Sequence, residues 1–143
     1  MSTLKVTLAD PSLKLPSKAH PTDTGFDLYV AEDVTIDYKP IAYKTGVRLI
    51  IPEGYWVRLA EKSGKALKGL RIHAGIVDES YRGEVMVVAS MVPGVPCLYL
   101  KKGEAICQMI LEKRHDVELQ QIDEAEFSTN TIRGEGGFGS TGR

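Results

Sequence analysis

Hydrophobic and polar side chains alternate with a period of two along much of the chain. In Leu4-Lys5-Val6-Thr7-Leu8 every second residue is apolar, the pattern of a strand with one wet face. The alternation returns in Tyr55-Trp56-Val57-Arg58-Leu59-Ala60, where Tyr55, Val57 and Leu59 point one way. More continuous β-rich runs occupy 47–51, 85–89, 97–100 and 105–111. Turn signals separate them: Ala9-Asp10-Pro11, Tyr38-Lys39-Pro40, Ile51-Pro52-Glu53-Gly54, Val92-Pro93-Gly94 and Lys101-Lys102-Gly103. Many short strands punctuated by Gly and Pro predict an all-β sandwich or barrel. Only 62–70 reads as helical, and Gly64 and Gly69 keep that helix short. No repeat of solenoid or propeller period is present, and no shift in composition marks a second domain.

Composition narrows the function classes. The 143 residues are one domain's worth of chain, 43% hydrophobic and 26% charged, enough to bury a core without staples. Eighteen basic side chains stand against 19 acidic ones, a net charge of −1. That balance argues against a nucleic-acid binder held by phosphate attraction. It also means that a polyanionic substrate needs local positive groups or a metal ion. Cys97 and Cys107 match neither a zinc spacing nor a disulfide framework, and read as two small buried apolar residues in a reducing compartment. The start carries no secretory h-region, and the run Val85-Met86-Val87-Val88-Ala89 is too short to cross a bilayer. The expectation is a soluble, cytoplasmic protein with no membrane partner.

Three stretches carry candidate chemistry. Gly75-Ile76-Val77-Asp78-Glu79-Ser80-Tyr81-Arg82-Gly83-Glu84-Val85 reads as a β-hairpin with a long polar loop. Asp78 sits at the loop's root, where a carboxylate is partly desolvated and held in one geometry, with the flat face of Tyr81 near it. Such a pair can activate water beside a stacked ring; the plain alternative is an Asx turn. Glu61-Lys62-Ser63-Gly64-Lys65 offers a hydroxyl, backbone N–H groups and lysines to an anion, or else an ordinary N-cap among solvated lysines. It is neither a Walker loop nor a nucleophile elbow. The tail, Arg133-Gly134-Glu135-Gly136-Gly137-Phe138-Gly139-Ser140-Thr141-Gly142-Arg143, has five glycines and one large apolar residue, too little apolar surface to order alone. Extended, it spans roughly 36–40 Å, enough to reach another subunit. Asp27, in Gly25-Phe26-Asp27-Leu28, is either a metal-side acid or a residue bonded to backbone. His20, His73 and His115 show no ligand spacing.

Taken in order, these stretches resemble the five motifs of the trimeric deoxyuridine triphosphatase (dUTPase) family. Thr24-Gly25-Phe26-Asp27-Leu28 resembles the first and Lys62-Ser63-Gly64 the second. The segment from Gly75 to Glu84 is a near-complete third. Gly103-Glu104-Ala105-Ile106-Cys107-Gln108-Met109 is similar to the fourth, and the glycine-rich terminus to the fifth. The resemblance implies a jelly-roll-like all-β fold with one short helix, in a homotrimer whose sites draw on all three chains. It implies a β domain over 1–132 and a flexible Gly-rich C-terminal arm over 133–143 that closes on the site. The implied reaction is hydrolysis of dUTP to dUMP and pyrophosphate, assisted by Mg²⁺. Asp78 would deprotonate the attacking water. Tyr81 would pack on the deoxyribose, and Gly75, Ile76 and Val77 would present backbone to the uracil. Lys62, Ser63, Gly64 and Gln108 would hold phosphates, and Asp27 would face the metal through water. Arg133, Gly139, Ser140 and Thr141 would close over the phosphates while Phe138 covers the base. The family's second motif usually reads Pro-Arg-Ser-Gly, so Lys62 keeps the charge but lacks the planar fork of arginine. Two other readings attach to the same scaffold: a dCTP deaminase-related enzyme, and a regulatory binding protein with an unknown partner.

Overall fold

The computed structural model describes residues 1–140 and 142. Strands β1 (Lys5–Leu8), β2 (Phe26–Tyr29), β3 (Val34–Ile36), β4 (Ile41–Lys44), β5 (Val47–Ile50) and β6 (Tyr55–Ala60) precede one short helix, α1 (Ser63–Leu67). Strands β7 (Leu70–His73), β8 (Ile76–Val77), β9 (Met86–Met91), β10 (Leu98–Leu100) and β11 (Ala105–Lys113) follow it, and a 3-10 turn stands at Glu124–Glu126. Every ladder is antiparallel. The all-β class with one short helix is therefore as the hydrophobic pattern predicts. No helix among the described residues is long and apolar enough to cross a membrane.

The strands form a four-stranded sheet ordered β2-β11-β6-β8, a three-stranded sheet ordered β4-β9-β7, and the pairs β1-β5 and β10-β3. Alternation decides which face is dry. Val57 and Leu59 of β6 are buried, while Arg58 is exposed and pairs with Glu112 of β11 at 2.9 Å. The core joins both larger sheets through Leu28, Val57, Leu70, Val87, Ile106 and Met109. Burying a side chain of this size contributes about 1.5–3 kcal/mol. Among the described residues, Thr45 and Ser90 are the buried polar ones. The Thr45 hydroxyl donates to the Val85 carbonyl at 2.6 Å and accepts from the Val47 N–H at 3.2 Å, so its desolvation is offset.

Two expectations are corrected. β8 and β9 do not form a hairpin: β8 pairs with β6, whereas β9 pairs with β4 and β7. The stretch between them crosses from one sheet to the other, because the apolar run of β9 is buried between two neighbours of its own. Nor are both cysteines buried. Cys107 is buried in β11, but Cys97 is exposed just before β10. Burial pushes the Cys107 thiol up to about 12, with the negative charges of Glu61 and Asp27 adding to the effect.

Candidate functional site

Antiparallel register puts the first group of candidates on one rung. Gln108 of β11 faces Asp27 of β2 on one side and Ala60 of β6 on the other. The chain leaves β6 beside it, and the Gln108 side-chain amide donates to the Glu61 carbonyl at 2.9 Å. Lys62 is the N-cap position of α1, followed by Ser63 and Gly64 in its first turn; no side chain caps the helix. The Lys62 ammonium meets Asp27 Oδ1 at 2.5 Å, both side chains half-buried. Asp27, open between two roles on sequence, thus holds a lysine. Lys65, one turn on, has its ammonium pushed below the usual lysine range by burial and then by the Lys62 charge. The group is a compact polar corner in which two lysines, an amide and a carboxylate stand together beside a helix start.

The second group lies on the loop after β8. Gly75, just before β8, lies in the left-handed region (φ 58°), next to Ala74 at φ 62°. A Cβ on Gly75 would lie 3.0 Å from the Leu59 carbonyl oxygen, so the chain approaches β6 closely there. β8 is the edge of its sheet, bonded to β6 on one side only. Beyond it, Ile76, Val77, Asp78, Tyr81, Glu84, Val85 and Met86 line a cleft of about 190 Å³. Asp78 and Tyr81 therefore share one cavity. Asp78 is exposed in the single chain rather than desolvated. Tyr81 Oη donates to the Glu84 carbonyl at 2.8 Å, which folds the ring back over Gly83. Two carboxylates brace the loop. Glu84 accepts from the N–H groups of Thr45 and Gly46 at 3.2 and 3.1 Å. Glu79 accepts from the Gly54 N–H at 2.9 Å and pairs with Arg114. Those two contacts, the Gly54 bond first, hold the Glu79 carboxyl below its ordinary range.

The third group follows the last strand. From Lys113 to Glu135 every residue is exposed. Arg133 Nε donates to the Gly136 carbonyl at 2.8 Å, and turns fold Gly136 to Ser140 into a short coil. Phe138 is fully exposed at φ 50°. Gly139 and Ser140 lie in the same coil, whereas Thr141 falls outside the described residues.

The first two groups stand apart. Gln108 is paired with Ala60 at one end of β6, whereas Val77 is paired with Val57 three residues earlier. At about 3.3 Å per residue the Asp78 loop begins roughly 10 Å along the sheet from the Lys62 corner. One chain thus supplies the parts of a site without assembling them. Glu79, Glu84 and Arg114 escaped the sequence reading. Their partners lie 25 to 39 residues away, at positions no local pattern connects.

The family model described as dUTPase matches residues 12–142. The deoxyuridine 5'-triphosphate nucleotidohydrolase of Candida albicans is 40% identical over 143 residues, covering 99% of this chain and 89% of that protein. The Saccharomyces cerevisiae protein of the same name is 38% identical, covering 97% and 94%. Among solved structures, a point mutant of the Staphylococcus bacteriophage 80alpha dUTPase with dUpNHpp superposes at a TM-score of 0.83, with 28% identity and 100% of each chain covered. A point mutant of the dUTPase from phage phi11 of S. aureus, described with a structural Mg(II) ion, gives a TM-score of 0.76 at 25% identity, covering 88% and 100%. With a family model spanning nearly the whole chain and relatives matched end to end, this chain belongs to the dUTPase family.

Proposed function

We propose that this chain hydrolyses dUTP to dUMP and pyrophosphate, with Asp78 as the general base. The observation that carries the reading is the shared cleft of Asp78 and Tyr81 at the open edge of β8, in a chain of this family. An edge strand has backbone N–H and C=O groups with no sheet partner on one side, and these would read the uracil edge from Ile76 and Val77. Tyr81 would pack on the deoxyribose and leave no room for a 2′-hydroxyl. Asp78 would take a proton from a water placed in line with the α-phosphorus. The new P–O bond forms as the bond to the bridging oxygen breaks, and pyrophosphate leaves.

The Lys62 corner would receive the phosphates, with Ser63, Gly64 and Gln108. Among the described residues no group of three or more His, Cys, Asp or Glu is placed to hold a metal ion, and one Asp27 oxygen is committed to Lys62. That donor set suits Mg²⁺ carried by the triphosphate, since the ion keeps several waters and needs few carboxylates. Asp27 would meet it through water; the ion would offset phosphate charge that this near-neutral chain cannot.

The roughly 10 Å between the Asp78 loop and the Lys62 corner is what favours shared sites. We read the active form as a homotrimer in which the loop of one copy faces the corner of another. Residues 1–132 would form the β domain, and 133–143 the arm that brings Arg133, Phe138, Gly139, Ser140 and Thr141 over the bound nucleotide. The test is pyrophosphate release from a nucleotide panel. The chain should consume dUTP and spare dTTP, dCTP and UTP. Asp78→Asn should lower the rate at least about a hundredfold while nucleotide binding persists. Ammonia release from dCTP would reverse the assignment.

A further inference from the structure

The three strand ends around the Asp78 loop meet in one junction, and the order of the sheet explains why. β6 lies between β11 and β8, so its first residue, Tyr55, faces Lys113 at the end of β11, and Val57 faces Val77 at the end of β8. The turn before β6, the loop after β8 and the exit of β11 therefore crowd one corner. Gly54, in that turn, is engaged at both its backbone groups. Its N–H donates to Glu79 Oε2 at 2.9 Å, and its carbonyl accepts the Arg114 N–H at 2.8 Å. The Arg114 guanidinium closes the ring by pairing with the same Glu79 oxygen, while its Nε donates to Asp116 Oδ1 at 2.6 Å. The Glu79 carbonyl, meanwhile, accepts from Arg82 Nη1 at 2.8 Å.

We propose that Glu79 and Arg114 are positioning residues, which hold the Asp78 loop in its reactive geometry and tie it to the exit of β11. Glu79 is the covalent neighbour of Asp78 and precedes Tyr81 by two residues, so its anchoring sets where both side chains stand. Arg114 is the first residue beyond β11, where the exposed segment leading to Arg133 begins. A carboxylate that answers one N–H and one guanidinium fixes the Glu79 end of the loop in two directions, whereas either contact alone fixes it in one. Both side chains are partly exposed, so the pair contributes little to global stability. Its effect falls on geometry, where a misplacement of about 1 Å can cost up to a hundredfold in rate.

The inference rests on Asp78 being the base, and the experiment separates the two. Pyrophosphate release from dUTP is measured for Glu79→Gln, Arg114→Met, Arg114→Lys, the Glu79→Gln/Arg114→Met double variant and Asp78→Asn, with melting temperatures for each. Glu79→Gln and Arg114→Met should each lower kcat about tenfold with KM moved less than about threefold, and Tm by no more than about 4 °C. The double variant should be no slower than the slower single one, because both break one linkage. Arg114→Lys, which keeps the cation, should recover most of kcat. An unchanged kcat in Glu79→Gln beside an inactive Asp78→Asn overturns the inference alone, as do losses that add or that follow Tm. An active Asp78→Asn overturns the reading beneath it as well.

Discussion

A single methyl group placed on Gly83 tests whether Tyr81 is the sugar gate. Its Cβ would collide with Tyr81 Oη and lie 2.6 Å from Cζ and 2.9 Å from Cε1, with no left-handed φ at Gly83 to add strain. Ordinary contact begins near 3.4 Å, so the ring must swing by about 1 Å at its hydroxyl end. That swing breaks the 2.8 Å bond from Tyr81 to the Glu84 carbonyl. The stability cost is about 1 kcal/mol, one solvent-accessible hydrogen bond, and the backbone keeps its path. The cost in selectivity is larger. A ring displaced by about 1 Å no longer fills the space of a 2′-hydroxyl, and the preference for dUTP over UTP should fall about tenfold or more. The assay is kcat/KM for both nucleotides in Gly83→Ala, with Tyr81→Phe as the companion. The phenylalanine loses the hydrogen bond but is not pushed, so it should discriminate better than Gly83→Ala. If Gly83→Ala kept the dUTP/UTP ratio of the parent chain, Tyr81 would not be the gate.

Two further outcomes follow from the electrostatics. A thiol-reactive chromophore at neutral pH should label Cys97 at once and Cys107 only on unfolding, since the latter is buried with its thiol pushed up to about 12; two fast equivalents would contradict the burial. Glu79 and Asp116 are held below the ordinary carboxylate range, Glu79 by the Gly54 N–H and then Arg114, Asp116 by Arg114. A depressed folded pKa gives stability that is present above the unfolded value, near 4.5 for Glu79 and 3.8 for Asp116, and lost as pH falls through the folded one. Tm should therefore drop on acidification below about pH 4.5, the share from these exposed groups being small, and slightly less steeply in Glu79→Gln. Equal slopes in the two proteins would show that the junction does not contribute.

Local patterns reveal what local forces decide. β1 and β6 are legible because one face of each is wet, and alternation follows directly from that. β9 is legible as a strand but not as a partner. A run buried on both faces carries no period, and nothing in Gly75 to Val85 says which sheet receives its far end. The short β3 and β4 escape notice because three or four residues carry too little pattern. Asp27, Lys62 and Gln108 are legible as candidates by residue type, whereas their meeting depends on the register of β11 against β2 and β6. The cysteines show the limit of composition: Cys97 follows Pro96 in an exposed approach to β10, and its residue type says nothing of that.

The distance between the loop and the lysine corner has a consequence for specificity. An enzyme that kept base and phosphate grips on one rigid sheet could react with any triphosphate that reached both. Here the sheet itself separates them, since β6 pairs with Gln108 of β11 at one end and with Val77, just before Asp78, three residues away. On the proposed reading, catalysis would require a ligand that bridges two copies and carries a ring at one end and phosphates at the other. An arm poor in apolar surface would add the same demand on that reading, because only such a ligand would offer Phe138 a ring and Arg133 an anion together. Pyrophosphate alone should occupy the lysine corner without ordering the arm. A deoxynucleoside alone should reach the Tyr81 cleft without drawing in Arg133. Selectivity for the whole nucleotide would then arise from the separation of the parts, each of which should bind weakly by itself.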